Sequence, residues 1–148
     1  MDELERIFEE NHKTIYKICY TYMKTAAETE DCVQEAFVKL ITSGKKFESK
    51  EHEKAWLIRT ATNICKNILR HWWQKRENIE NHHLSENFEN DDTLAVVLDL
   101  PTKYKTVVYL YYYEGYDSTE IAKILQKPNS TIRNHLHEAR KILKEAIQ

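Results

Sequence analysis

The sequence predicts an all-α protein built as two small helical domains joined by a flexible acidic linker, and three observations carry that prediction. Apolar residues recur at three-and-four spacing along most of the chain, without β-branched alternation. The 148 residues hold only two Gly and two Pro against 41% hydrophobic content. That is the composition of a globular helical chain rather than of a disordered or all-β one. A stretch of roughly twenty aperiodic residues then breaks the pattern, longer than a loop inside one compact domain usually is. Domains are expected at 1–76 and 95–148, with the linker over 77–94. Halves of about 70 residues remain viable folding units.

Composition excludes several classes. No apolar run approaches the ~18 residues of a membrane span, and the opening "MDELERIFEENHK" is acidic and amphipathic, unlike a secretory leader. The expected location is therefore the cytoplasm, with no membrane insertion. Cys19, Cys32 and Cys65 are odd in number, lack C-x-x-C spacing and fall on apolar helix faces, so they read as core thiols. His82 and His83 have no Cys or carboxylate at ligand spacing, and neither a metal nor a cofactor is expected. The net charge of −2 hides a segregation: residues 1–75 carry +1, 76–95 carry −5 and 96–148 carry +2. An acidic stretch, "RENIENHHLSENFENDDTLA", divides two mildly basic blocks.

In the first block, "HKTIYKICYTYMK" places Ile15, Ile18, Cys19 and Tyr22 on one helical face. "TEDCVQEAFVKLI" does the same with Val33, Ala36, Phe37, Leu40 and Ile41. On this second helix Asp31, Gln34, Glu35 and Val38 share the face turned away from the apolar stripe. A solvated face and a docking strip for a basic partner both fit it.

"EKAWLIRTATNICKNILRHWWQKR" is more informative. From Lys54 to Arg76 it holds six cations (Lys54, Arg59, Lys66, Arg70, Lys75, Arg76), no carboxylate, and all three tryptophans. At ~100° per residue, Arg59, Asn63, Lys66 and Arg70 fall within about 60° of one another. Leu57, Ala61, Ile64, Ile68 and Trp72 form the opposite face. Cations neutralise phosphates, Asn bonds base edges, and aromatics stack on unpaired bases at roughly 1–3 kcal/mol each. Buried tryptophans beneath a merely solvated basic face are the competing reading.

In the second block, "LPTKYKTVVYLYYYEGYDSTEIAKIL" predicts a helix after Pro101 that ends near Gly115, where the chain needs a left-handed residue. Asp117 followed by Glu120 is a capping-box start for a helix carrying Ile121, Ile124 and Leu125. Lys127 to Asn129 make a turn, and Pro128 suits the first turn of the next helix. There Ile132, Leu136, Ala139, Leu143 and Ala146 face inward. Ser130, Arg133, Asn134, His137, Lys141 and Lys144 face out. Two helices joined by so short a turn, the second polar and cationic outside, form a helix-turn-helix whose second helix enters the major groove. A generic helical hairpin is the alternative.

Three motifs in order, "EDCVQEAF", "AWLIRTATN" and "EGYDSTEIA…STIRNHLHEAR", resemble bacterial RNA polymerase sigma factors of the extracytoplasmic-function (ECF) type in the sigma-70 family. The resemblance runs from about Ile15 to Glu145. It implies a region 2 bundle that docks on polymerase and opens the promoter, and a region 4 helix-turn-helix. Asp31, Gln34 and Glu35 would meet the β′ clamp helices. Arg59, Asn63, Lys66, Asn67, Arg70 and Trp73 would serve the −10 element, with Trp73 and Gln74 in the loop that accepts an extruded base. Extrusion costs a few kcal/mol, which docked contacts can offset.

The same resemblance assigns the −35 element to Ser130, Thr131, Arg133, Asn134, His137 and Lys141, and docking of the second domain to the β flap. It makes the acidic linker a nucleic-acid mimic in the RNA exit path, and it makes an anti-sigma factor an expected partner. Where such proteins commonly carry basic residues this chain has His135 and Glu138, so its outer helix is less cationic and more specificity is expected from the −10 domain. Gln126 stands in place of a common turn glycine, and no C-terminal regulatory domain is expected. The implied activity is promoter recognition and melting with no covalent chemistry. A stand-alone helix-turn-helix regulator, which would not need the basic tryptophan segment, and a helical adaptor acting through protein contacts are the alternatives.

Overall fold

The computed structural model describes residues 2–75 and 97–147, and the side chains of Lys75, Ala146 and Ile147 fall outside the description. So do Arg76, the acidic linker, His82 and His83. Among the described residues the regular structure is helical, and the chain divides into two compact units, Met1–Ser85 and Glu86–Gln148.

The first unit packs α1 (Glu3–Met23), α2 (Ala26–Ser43) and α3 (Lys50–Lys75) against one another in all three pairs. Each helix begins on a side chain that accepts an otherwise orphaned N–H. The Asp2 carboxylate accepts from Glu5 N–H at 2.8 Å. Thr25 Oγ1 accepts from Glu28 N–H at 3.4 Å and donates to the Glu28 carboxylate at 2.9 Å. Ser49 Oγ accepts from His52 N–H at 3.1 Å. Lys24 (φ 70°) and Gly44 (φ 63°) end α1 and α2 in the left-handed region.

The core is the predicted one: Ile15, Ile18, Cys19 and Tyr22 of α1 meet Cys32, Val33, Ala36, Phe37 and Leu40 of α2 and Leu57, Ile58, Ala61, Ile64 and Cys65 of α3, all buried. Burial of each large apolar side chain supplies ~1.5–3 kcal/mol. Ile41 departs from the expectation and stands 58% exposed, because the four residues before it already fill the α2 stripe and position 41 turns past its edge. Ile68 and Trp72 are only half-buried. A buried carboxylate that the pattern did not predict, Glu53, is matched by Arg6 at 2.8 and 3.3 Å, and the same guanidinium reaches Glu3 and Glu10. Breaking such a pair by removing one partner strands the other charge in the core.

The second unit contains α4 (Thr102–Tyr112), α5 (Ser118–Leu125) and α6 (Asn129–Ile147). Val97, Leu100, Tyr104, Val108 and Ala139 form its core, with Ile142 and Leu143 packed on them. Ile121, Ile132 and Leu136 are buried at the α5–α6 hairpin. Lys105 is buried as well, its Nζ donating to Leu98 O at 3.0 Å. The left-handed glycine is real (Gly115, φ 75°), but α4 stops earlier, at Tyr112 with Tyr113 as its cap. The Asp117–Glu120 capping box forms in both directions, at 2.8 and 2.9 Å.

Gln126 closes α5 in the left-handed region (φ 56°), its N–H donating to Ala122 O and Lys123 O. Pro128 sits one position earlier than expected: it lies just outside α6, and its carbonyl accepts from Thr131 and Ile132 N–H at 3.0 and 3.3 Å. Its missing N–H costs nothing there.

Candidate nucleic-acid interface

The turn between α5 and α6 is held by Asn129, whose Nδ2 donates to Thr119 Oγ1 at 3.0 Å. With Ile121, Ile132 and Leu136 buried beneath it, α6 is fixed against α5 and turns its other side to solvent. Ser130, Arg133, Asn134, His137 and Lys141 are exposed as predicted, whereas Thr131 is half-buried at the rim. By helical angle the outward residues, of which Glu138 is half-buried, form two flanks, each spanning about 60°. One carries Arg133, His137, Arg140 and Lys144; the other carries Asn134, Glu138, Lys141 and Glu145.

Arg140 is pinned by the α4 tyrosines. Its Nε donates to Tyr112 Oη at 3.3 Å, and its guanidinium lies 5.4 Å from the Tyr111 ring. The Tyr112 hydrogen bond raises the guanidinium above its ordinary value. The sequence run places these tyrosines on the helix after Pro101 and no more; the spacing of 28 residues between Tyr112 and Arg140 gives no local signal. His135, where a cation was the expectation from related chains, packs edge-to-face on Tyr104 at 5.4 Å and is half-buried.

On α3, Asn63, Asn67 and Arg70 are exposed, while Arg59 and Lys66 emerge from half-buried positions on the same side. Burial lowers the Arg59 guanidinium from its ordinary value, and it stays charged, since arginine does not deprotonate in proteins. Arg70 Nη1 donates to Asn67 Oδ1 at 3.0 Å, so the amide and the cation act as one unit. Trp73 is 78% exposed, on the helix rather than in a loop, because α3 continues through Lys75. Gln74 lies on the same helical turn. Cations, amides and an open aromatic ring thus lie along one rigid element.

On α2, Asp31, Gln34 and Glu35 are exposed, joined by Val38 (49%) and Ile41 (58%). Two large apolar side chains follow two carboxylates and an amide along the helix, so the surface is polar toward its N-terminal end and apolar toward its C-terminal end. The steps 31, 34, 38 and 41 alternate three and four, and that spacing was the available signal for Ile41. A groove of about 290 Å³ runs between α2 and α3, with Glu35 and Lys39 on one wall and Asn67, His71 and Trp72 on the other.

A three-helix bundle bearing a cation-and-amide face, in one chain with a helix-turn-helix, defines a two-domain DNA-binding transcription factor. The chain belongs to the sigma-70 family of RNA polymerase sigma factors and is of the ECF type: residues 7–76 match sigma-70 region 2 and residues 92–143 match sigma-70 region 4. It is similar to the ECF RNA polymerase sigma factor SigX of Bacillus subtilis, 22% identical over 99% of this chain and 84% of that one. SigW of the same organism is 26% identical over 90% and 83%. Among solved structures it resembles the sigma factor RpoE of Bartonella quintana, crystallised with the anti-sigma factor NepR, with a TM-score of 0.76 and 16% identity over 99% of this chain and 98% of that one.

Proposed function

We propose that this protein binds core RNA polymerase, recognises −10 and −35 promoter elements and promotes strand opening at transcription initiation, taking part in no covalent step itself. The observation that carries the reading is the joint presence in one chain of the α3 face and the exposed α6 face, each on the domain type that sigma factors use for it. Duplex recognition needs only the second unit. The cations, amides and exposed Trp73 of α3 suit a partly unpaired strand, for which stacking and phosphate contacts are the natural currency.

Within this reading Asp31, Gln34 and Glu35, extended by Val38 and Ile41, meet the β′ clamp helices. Arg59, Asn63, Lys66, Asn67, Arg70 and Trp73 hold the −10 non-template strand. Ser130, Thr131, Arg133, Asn134, His137 and Lys141 engage the −35 duplex, and the second unit contacts the β flap. The protein works in the cytoplasm, where the polymerase is; no described helix is long and apolar enough to cross a membrane. An anti-sigma protein is its proposed regulator, as the RpoE complex illustrates for that protein.

The test is run-off transcription with purified core polymerase on genomic fragments, with wild type and with Asn63→Ala and Lys66→Ala. Discrete transcripts that need the protein and weaken in both variants support the proposal. Tight duplex binding by the free protein, with no transcript, overturns it.

A further inference from the structure

Glu138 sits half-buried on the outer side of α6, its side chain 42% exposed, four residues beyond Asn134 on the same flank. Its nearest cation, Lys141 Nζ, is 3.9 Å away, beyond hydrogen-bond reach, so the acceptor oxygens remain available. A carboxylate on a helix that approaches DNA is repelled by every phosphate. It is repelled too by the acceptor edges of guanine (N7, O6) and thymine (O4). The major-groove edge that rewards it without opposition is the cytosine N4 amino group; adenine offers N6–H beside the acceptor N7.

The geometry points to Glu138 as a specificity residue that selects cytosine in the −35 element, next to the base that Asn134 reads. This inference rests on the −35 role of α6 proposed above. Four residues advance ~6 Å along a helix, and base pairs are spaced ~3.4 Å apart, so the selected cytosine lies within two base pairs of the Asn134 contact. The preference order at that position is cytosine first, adenine second, guanine and thymine last. The cationic flank, Arg133, His137, Arg140 and Lys144, is centred about 100° round the helix from the flank that carries Glu138, so one helix can set cations and a carboxylate against different parts of the groove.

The test uses the full chain with core polymerase and a promoter library randomised over the −35 segment, sequencing the DNA retained in the complex. Wild type is compared with Glu138→Ala, Glu138→Gln and Asn134→Ala. The expected result is a single cytosine position, favoured roughly 5- to 150-fold, which flattens in Glu138→Ala while the other positions keep their preferences. In Glu138→Gln the same position moves toward adenine, the base an amide reads in two hydrogen bonds. A uniform tightening of all sequences in Glu138→Ala, with a steeper salt dependence, overturns the inference, since the carboxylate is then only an electrostatic penalty. So does a cytosine preference unchanged in that variant. If Asn134→Ala leaves the −35 selection untouched as well, α6 is not the reader and both proposals fall; if Asn134→Ala removes a base preference, only the role of Glu138 is at stake.

Discussion

Replacing Gln126 with glycine should stabilise the second unit, although nothing in the contacts of Gln126 suggests it. The residue closes α5 at φ 56° and ψ 49°, where the Cβ of an L residue crowds the following carbonyl at a cost of ~1–2 kcal/mol. Glycine escapes that cost but forfeits ~0.4–1 kcal/mol through the greater freedom of the unfolded chain. The two capping bonds use the backbone N–H and survive the change. The net gain is about 0.5–1 kcal/mol, a rise in Tm of about 2–8 °C for a domain of this size.

Gly115→Ala supplies the mirror experiment. A Cβ there meets no heavy atom within 4 Å, so the substitution tests backbone conformation alone at φ 75°. It should lower stability by a similar amount. Thermal melting of the full chain, with hydrogen exchange on α5 and α6 amides to assign the transition, reads both variants. A lower Tm for Gln126→Gly, or no loss for Gly115→Ala, would refute the view that left-handed strain governs the two connections that flank α5.

Asp117→Ala removes one arm of the α5 capping box and should cost about 1 kcal/mol by the same melts. Arg133→Ala should weaken binding to −35 duplex, in holoenzyme gel shifts, by about 1–3 kcal/mol. Ile41→Ala should leave the Tm unchanged, since the side chain is exposed, yet weaken core polymerase binding by up to about 3 kcal/mol in titration calorimetry. Cys32 is hydrogen-bonded to Cys65 and buried, which in that order push its thiol up. A raised thiol contributes stability that is fully present below the ordinary value of 9.0 and is lost as pH rises past it. Denaturant melts across that window should therefore show a falling stability that flattens in Cys32→Ala.

Most helices were legible because their information is local. The apolar spacing of α1, the cap at Asp117, and the hairpin turn near Pro128 each depend on residues within one or two turns. What escaped the sequence depends on neighbours far along the chain. Whether Ile41 is buried is decided by how much room α1 and α3 leave beside Phe37 and Leu40, and Glu53 can be buried only because Arg6 arrives from 47 residues away. The end of α3 was misplaced for another reason: "HWWQK" contains no breaker, and the expectation of a loop came from resemblance rather than from the residues. Net charge is uninformative by itself, since −2 averages a basic helix face and an acidic linker, and only its division along the chain made it readable.

The bundle explains how one small unit can serve two large partners. α2 and α3 bury against each other through Cys32 and Cys65, so the outward face of each is set relative to the other by a packed core rather than by a hinge. The groove between them carries Glu35 on one wall and Asn67 on the other, which places the proposed polymerase strip and the proposed promoter strip on the two banks of one depression. Close-packed protein cores have low compressibility and transmit displacement. Docking the α2 face therefore fixes where Asn63, Lys66 and Asn67 stand, and the ordering cost of aligning them with the promoter strand is met during folding instead of during strand opening. A substitution that loosens the α2–α3 contact without touching either outer face, such as Cys65→Ala, should consequently reduce open-complex formation more than it reduces core binding.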